Sequence, residues 1–210
     1  MMRQNDLLTY PVAIFALALL LSGCMSRKYV ERRSYALEIS RDQVASSSET
    51  EAVLRVRNFR VSPRYEGKRL VYRSEDGSYE SDFYNEFLTS PDTMITEEVR
   101  QWLAGSGLFQ QVVDFSGQIE PTHILEGTVT DLYGDFSEGS QPRAALQMEF
   151  FLIQEVSGRS RVVFQKRYRK EAALKTDSPE AVVQGWNQAL TNILIDFETD
   201  LREIDLKPGG

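Results

Sequence analysis

The chain has 210 residues, 41% hydrophobic and 26% charged, with 24 Lys and Arg against 31 Asp and Glu for a net charge of −7. An acidic chain with no basic stripe lacks the electrostatic footprint of a phosphate-backbone binder, which argues against nucleic acid as a partner. One histidine and one cysteine leave neither a Cys/His zinc set nor an intrachain disulfide.

Residues 11–21 (PVAIFALALLL) form an uncharged apolar run behind Arg3 and the free amine, the pattern of a secretory signal, with Asp6 an odd inclusion in its charged start. As a helix the run spans roughly 16 Å, about half of the ~30 Å hydrocarbon layer, so it is too short for a permanent span. Leu21-Ser22-Gly23-Cys24 follows at once and resembles a bacterial lipobox, in which small residues admit a dedicated peptidase and the cysteine sulfur receives a diacylglyceryl group. Cysteine suits that transfer because its thiol becomes nucleophilic near neutral pH, where a serine hydroxyl is far less reactive. The expectation is a signal peptide over 1–23, lipidation at Cys24 and a lipidated tether over 24–34. An ordinary signal followed by a chance cysteine is the alternative.

Several acyl chains anchor permanently where one binds reversibly. In the lipoprotein-sorting pattern that this leader resembles, an Asp after the cysteine retains the protein in the inner membrane. Met25 stands there, which implies the periplasmic face of the outer membrane. The tether between Cys24 and Tyr35 reaches about 35 Å when fully extended, so the body stays near the bilayer. Arg27, Lys28, Arg32 and Arg33, interrupted by Glu31, either lean on anionic headgroups or make a solvated linker.

Residues 35–206 read as one mixed α/β (α+β) domain. The expected fold is one largely antiparallel sheet of about six to eight strands with two helices packed on one face. Tyr35, Leu37 and Ile39 alternate with polar neighbours, a polar loop follows over 41–51, and Leu54, Val56, Phe59 and Val61 resume strand character. Residues 68–73 and 78–84 flank Asp76-Gly77, a hairpin turn that needs glycine's positive φ. Ser90-Pro91 then opens a helix with Ser90 as side-chain cap, an apolar stripe of Met94, Ile95, Val99, Trp102 and Leu103, and Gly105 at its close. Four more strands are expected over 109–115, 122–133, 144–153 and 161–168. Ser178-Pro179-Glu180 starts a long helix with apolar positions Val182, Trp186, Leu190, Ile193, Phe197, Leu201 and Ile204, and 207–210 is a loose tail.

Catalytic signatures are missing. His123 stands alone at a strand start without a G-x-S-x-G elbow, and there is no P-loop or dinucleotide fingerprint, so a non-enzyme without cofactor is expected. Asp131, Asp135 and Glu138 lack the spacing of a calcium loop, and no metal is expected. In the 144–153 strand, Ala144, Leu146, Met148, Phe150 and Leu152 fill one face, while Phe151 and Ile153 share the other with Gln147 and Glu149. Phe151 and Ile153 are therefore a candidate partner surface, for another protein or a second copy, unless the 41–51 loop covers them. Asp196, Asp200 and Glu203 are a second candidate, since acids at a helix C-terminus oppose its dipole and invite a basic partner or fray into solvent.

The order of parts resembles the ABC-type transport auxiliary lipoprotein family, the PqiC-like proteins. The likeness rests on the lipobox followed by Tyr35-Ala36-Leu37, Val71-Tyr72-Arg73 before a short hairpin, Phe87 ahead of Ser90-Pro91 where the family often carries Trp, Gly107-Leu108-Phe109, Leu125-Glu126-Gly127-Thr128-Val129 and the long last helix. It implies a non-catalytic envelope component working with an MCE-type substrate-binding protein and an ABC permease and ATPase to move lipids between membranes. A structural lipoprotein of another outer-membrane assembly is the alternative from the residues alone, and an envelope hydrolase the third class.

Overall fold

The computed structural model describes residues 31–207 apart from 42–44, 46, 49, 140 and 157. The expected signal, the lipobox residues Leu21, Ser22, Gly23 and Cys24, most of the tether and 208–210 of the tail lie outside these residues. In chain order the elements are β1 (Arg33–Tyr35), β2 (Val53–Val56), β3 (Arg60–Val61), β4 (Arg69–Arg73), β5 (Tyr79–Phe87), α1 (Pro91–Ala104), β6 (Gln111–Val113), β7 (His123–Asp135), β8 (Arg143–Val156), β9 (Arg159–Ala173) and α2 (Pro179–Arg202).

β7 is the spine of the sheet. One edge pairs antiparallel with β8, which pairs antiparallel with β9. The other edge receives β2, β3 and β4 in succession, all parallel to it. β5 returns antiparallel to β4, β1 runs parallel to the end of β5, and β6 runs parallel to β2. The sheet therefore has nine strands rather than six to eight, and its pairing is mixed rather than largely antiparallel. Parallel neighbours need a long crossover, and the segment carrying α1 supplies it between β4 and β7.

The extra strands come from breaks. Strand character ends at Tyr35, and Leu37 and Ile39 pack as loop residues. The pattern of Leu54, Val56, Phe59 and Val61 predicts a single strand, but β2 and β3 are separate because one additional residue intervenes relative to β7. At that break Phe59 turns inward over Gly127, whose missing Cβ leaves room for the ring: a Cβ there would lie 2.6 Å from it. Thr96 Oγ1 of α1 takes the Phe59 amide at 2.9 Å. The 109–115 strand shrinks to β6, while β9 extends well past the expected 161–168.

The β4–β5 hairpin turns at Gly77 with φ 82°. α2 begins as expected, Ser178 Oγ accepting from the Ala181 amide at 3.2 Å with Pro179 in the first turn. α1 corrects the expectation at its start: Ser90 makes no side-chain cap and its Oγ sits 3.1 Å from Thr93 Oγ1 instead, leaving Pro91 and Asp92 to favour the helix. Both helices cover one sheet face. Ala144, Leu146, Met148, Phe150 and Leu152 are buried beneath them as their alternation predicts. Phe150 stacks on Phe197 of α2 at 4.2 Å and meets Phe59 edge-on at 5.6 Å, while Phe87 packs on Trp186 at 5.4 Å. Each such fully buried ring contributes about 2 kcal/mol or more. No helix among the described residues is long and apolar enough to cross a membrane.

Candidate partner surface

On the helix side, ionisable groups are bound into the fold. Glu198 on α2 receives Arg41 through Nη1 at 2.5 Å and Nη2 at 3.1 Å, Arg202 Nη2 at 2.9 Å and Trp102 Nε1 at 2.8 Å. The Arg41 guanidinium also lies 4.7 Å over the Trp102 ring and donates to the Trp102 carbonyl. Burial pushes the Glu198 carboxyl up, but the donors from Arg41, Arg202 and Trp102 outweigh it and hold the group below its ordinary value. The start of the segment after Ile39 is thereby stapled along α1 and α2. A cleft of about 180 Å³ beside the staple is lined by Ile39, Arg41, Glu98, Gln101, Trp102 and Gly105, and burial raises the Glu98 carboxyl there. His123 is buried, with Nδ1 2.9 Å from Thr122 Oγ1; Nε2 has no hydrogen-bond partner among the described residues, and desolvation lowers its pKa and favours the neutral ring.

The helix-free face is organised in rows across the strands. At one end, Val113, Arg55, Ile124, Ile153 and Val162 share a row over β6, β2, β7, β8 and β9. The next row holds Glu126, Phe151 and Gln165, with Arg57 paired to Glu126. Arg55 donates to the carbonyls of Gly117 and Ile119, which fastens the loop carrying the exposed Phe115 and Ile119 to this end. Phe115 is 65% exposed, Val162 54% and Ile119 47%. Shallow clefts around Arg55 and Arg57 are lined by Phe115 on one side and by Pro121 and Ile124 on the other.

Further along, the same face becomes a charge ladder. Arg167 bonds Glu149, Arg169 bonds Asp131 and Glu171, and Arg143 reaches Glu171 and Asp135. Asp135, its side chain 1% exposed, is gripped by Arg73 at 2.7 and 3.0 Å and by Arg143. Burial opposes its ionisation, yet the hydrogen bonds from Arg73, Ser137 and Arg143 bring its pKa down to about 2. Asp131 and Asp135 thus serve ion pairs, and no group of metal ligands occurs among the described residues. Tyr65 and Tyr79 pack on Tyr133 at 6.2 and 5.5 Å beside the ladder.

The two candidate surfaces separate. Phe151 and Ile153 are half-buried on the helix-free face, at the apolar end just described. Asp196 and Asp200 face β9 instead: Lys170 Nζ reaches Asp196 at 2.6 Å, Lys166 Nζ reaches Asp200 at 2.7 Å, and the Tyr168 hydroxyl donates to Asp200. The acidic helix end therefore finds its cations within the chain, and Glu203 sits exposed at the helix cap. The basic strand that answers those acids was legible in residues 165–170 (QKRYRK), whose alternation sends Lys166 and Lys170 to one face and Arg167 and Arg169 to the other. The Glu198 staple left no local signal, because Arg41 and Glu198 lie 157 positions apart.

Solved structures share this fold. A crystal structure from Xanthomonas campestris, of a protein of family DUF330, superposes with a TM-score of 0.69 at 17% identity, over 79% of this chain and 92% of that one. A second, uncharacterised protein gives 0.58 at 20% identity over 80% and 99%. A hypothetical protein of Chlamydia trachomatis gives 0.53 at 6% identity over 72% and 98%. Among curated proteins no match is found. The family model for the ABC-type transport auxiliary lipoprotein component matches residues 35–195, from the end of β1 into the last turns of α2. Spanning most of the sequence and nearly all of the described fold, that match makes this chain a member of the ABC-type transport auxiliary lipoprotein family.

Proposed function

We propose that the protein is a lipid-anchored docking component with no chemistry of its own. Acyl chains on Cys24 hold it to the periplasmic face of the outer membrane. The apolar end of the helix-free sheet face receives an MCE-type substrate-binding protein of an ABC-driven lipid transport system. The observation that carries this reading is the exposure of Phe115, Ile119 and Val162 at the same end of the sheet as half-buried Phe151 and Ile153, beside a ladder of charges. Apolar centre and polar rim are the parts of a protein interface, and the ladder supplies register. The buried carboxylates at Asp135 and Glu198 are each held by two arginines, which suits a structural duty better than acid–base work.

A photo-crosslinking residue at Val162 in the native envelope tests the surface, with one at Ile195, exposed on α2, as control. Capture of an MCE-type protein from position 162 and not from 195 is the expected result. Capture of an outer-membrane barrel assembly alone transfers the protein to the structural class, and capture of its own copies alone makes the face a self-association surface. Mass spectrometry of the mature N-terminus tests the anchor: a diacylglyceryl group on Cys24 is expected, and an unmodified thiol refutes it.

A further inference from the structure

A second exposed apolar group lies toward the opposite edge of the sheet, where the chain enters it through β1. Four of the eight exposed large apolar side chains among the described residues fall between 79 and 88: Tyr79, Phe83, Tyr84 and Leu88. Tyr79 turns to Tyr133 and Arg64. Phe83 and Tyr84 stand out at an irregularity in β5, where pairing with β4 shifts register between Arg69 and Val71, and Leu88 follows directly after the strand. Asp82 builds that projection. Its Oδ1 accepts from the amides of Tyr84 and Asn85, and its Oδ2 accepts from Asn85 Nδ2 and the Tyr72 hydroxyl. The carboxylate is spent on the turn, and the Phe83 and Tyr84 rings, edge-to-face at 5.1 Å, are held outward.

Cations frame these rings. The guanidinium of Arg32 lies 4.9 Å and that of Arg69 5.5 Å from the Phe83 centroid. Lys68 Nζ donates to the Leu88 carbonyl at 3.0 Å. Glu86 shares a register position with Arg69 and offsets part of this charge, while Arg33 is already matched by Glu180. The chain as a whole is acidic, so a cationic and aromatic cluster at one corner is a local departure. The corner is also where residues 1–31 join the body: Arg32 immediately precedes β1, and the Tyr35 carbonyl of β1 accepts the Leu88 amide at 2.7 Å.

We infer that Phe83, Tyr84 and Leu88, with Arg32, Lys68 and Arg69, form a membrane-seating patch that lays the body on an anionic lipid leaflet in one fixed orientation. Aromatic rings favour the headgroup boundary, and arginine and lysine stems lie along apolar surface while their charged heads reach phosphate. Eight residues from Cys24 to Arg32 span at most about 28 Å, so an anchored chain is held within reach of the leaflet and the patch adds orientation rather than attachment. The sheet face proposed above for a partner protein is then presented in a set direction. The inference rests on the acyl anchor of the preceding section.

The test uses the full lipoprotein as isolated from membranes, carrying Leu88→Cys labelled with an environment-sensitive fluorophore. Phe115→Cys, equally exposed on the other group, is the control. Acylated Cys24 takes no label, so the parent protein reports whether the anchor is present. Vesicles combine phosphatidylethanolamine with phosphatidylglycerol as the anionic lipid and carry a lipid-borne quencher. The expected result is a blue-shifted, strongly quenched probe at position 88 and a water-exposed, unquenched probe at 115. Replacing Lys68 and Arg69 by Gln lowers the inserted-to-free ratio about fivefold per charge, and phosphatidylcholine vesicles lower it similarly. Protein that floats with vesicles while its probe at 88 stays in water overturns the patch and leaves the anchor standing. Protein that labels at Cys24 and does not float overturns both. A probe at 88 that is already blue-shifted in detergent, and more so at higher protein concentration, assigns the patch to a second copy and overturns the lipid reading.

Discussion

Converting Glu198 to leucine tests the staple between the first loop and the two helices. The side chain is 11% exposed, and that of Arg41 is 17% exposed. Removing one partner of a buried ion pair costs about 3–5 kcal/mol because the other charge is left without a counterion. Arg202 is 40% exposed and can turn to water, and Arg41 retains the Trp102 ring and carbonyl, so the expected loss is at the lower end, about 3 kcal/mol. Glu198→Gln keeps shape and one acceptor while losing charge, for about 2 kcal/mol. Arg41→Met combined with Glu198→Leu exchanges both charges for apolar atoms and recovers most of the loss. Urea unfolding followed by tryptophan fluorescence and far-UV circular dichroism measures all three; Trp102 stands in the staple and Trp186 in the core, so the probes check cooperativity. Because the folded pKa of Glu198 is lowered, its contribution is complete above the ordinary glutamate value near 4.5 and fades as pH falls below it. Glu198→Leu within about 0.5 kcal/mol of the parent, or a double variant no more stable than the single, refutes the reasoning.

Gly127→Ala drives a methyl into the Phe59 ring and is expected to cost about 1–3 kcal/mol; Phe59→Leu in the same chain should relieve part of it, and additive losses in urea unfolding contradict the contact. Asp135 ionises at about 2 when folded against an ordinary value of 3.8, so it contributes about 2 kcal/mol above pH 4 that is lost on acidification toward pH 2. Unfolding midpoints across that range should fall more steeply in the parent than in Asp135→Asn, and parallel curves dismiss the arginine grip. Lys170→Gln opens a largely exposed pair with Asp196 and should change stability by less than about 1 kcal/mol, a larger change marking a structural role for the acidic helix end.

Much of the fold is local enough to read in the chain. Asp76-Gly77 marks the hairpin because the turn needs a positive φ, and Gly77 has it. Ser178-Pro179 and the three-four stepping of apolar residues mark α2, and the alternation of 144–153 marks which face of β8 is buried. The family resemblance carried by Gly127 also gains a cause, since the Phe59 ring occupies the place of its side chain. The candidate partner surface was half legible: period-two alternation isolates Phe151 and Ile153, but nothing near them in sequence announces Val162 opposite Ile153 or the loop of Phe115 and Ile119 that Arg55 holds at the same end of the sheet.

Short-range chemistry settled what the residues alone determine here: the hairpin turn at Gly77, the Ser178 start of α2 and the buried side of β8. Strand direction, the splitting of β2 from β3, and the choice of counterions waited for the folded chain, because each depends on groups brought together from distant positions. Arg41 meets Glu198 across 157 positions and Arg33 meets Glu180 across 147, separations at which no spacing rule operates. The acidic end of α2 shows the difference most plainly. Its unfavourable placement against the helix dipole is visible in the residues, but only the packing of β9 beside it assigns Lys166 and Lys170 as the charges that compensate it.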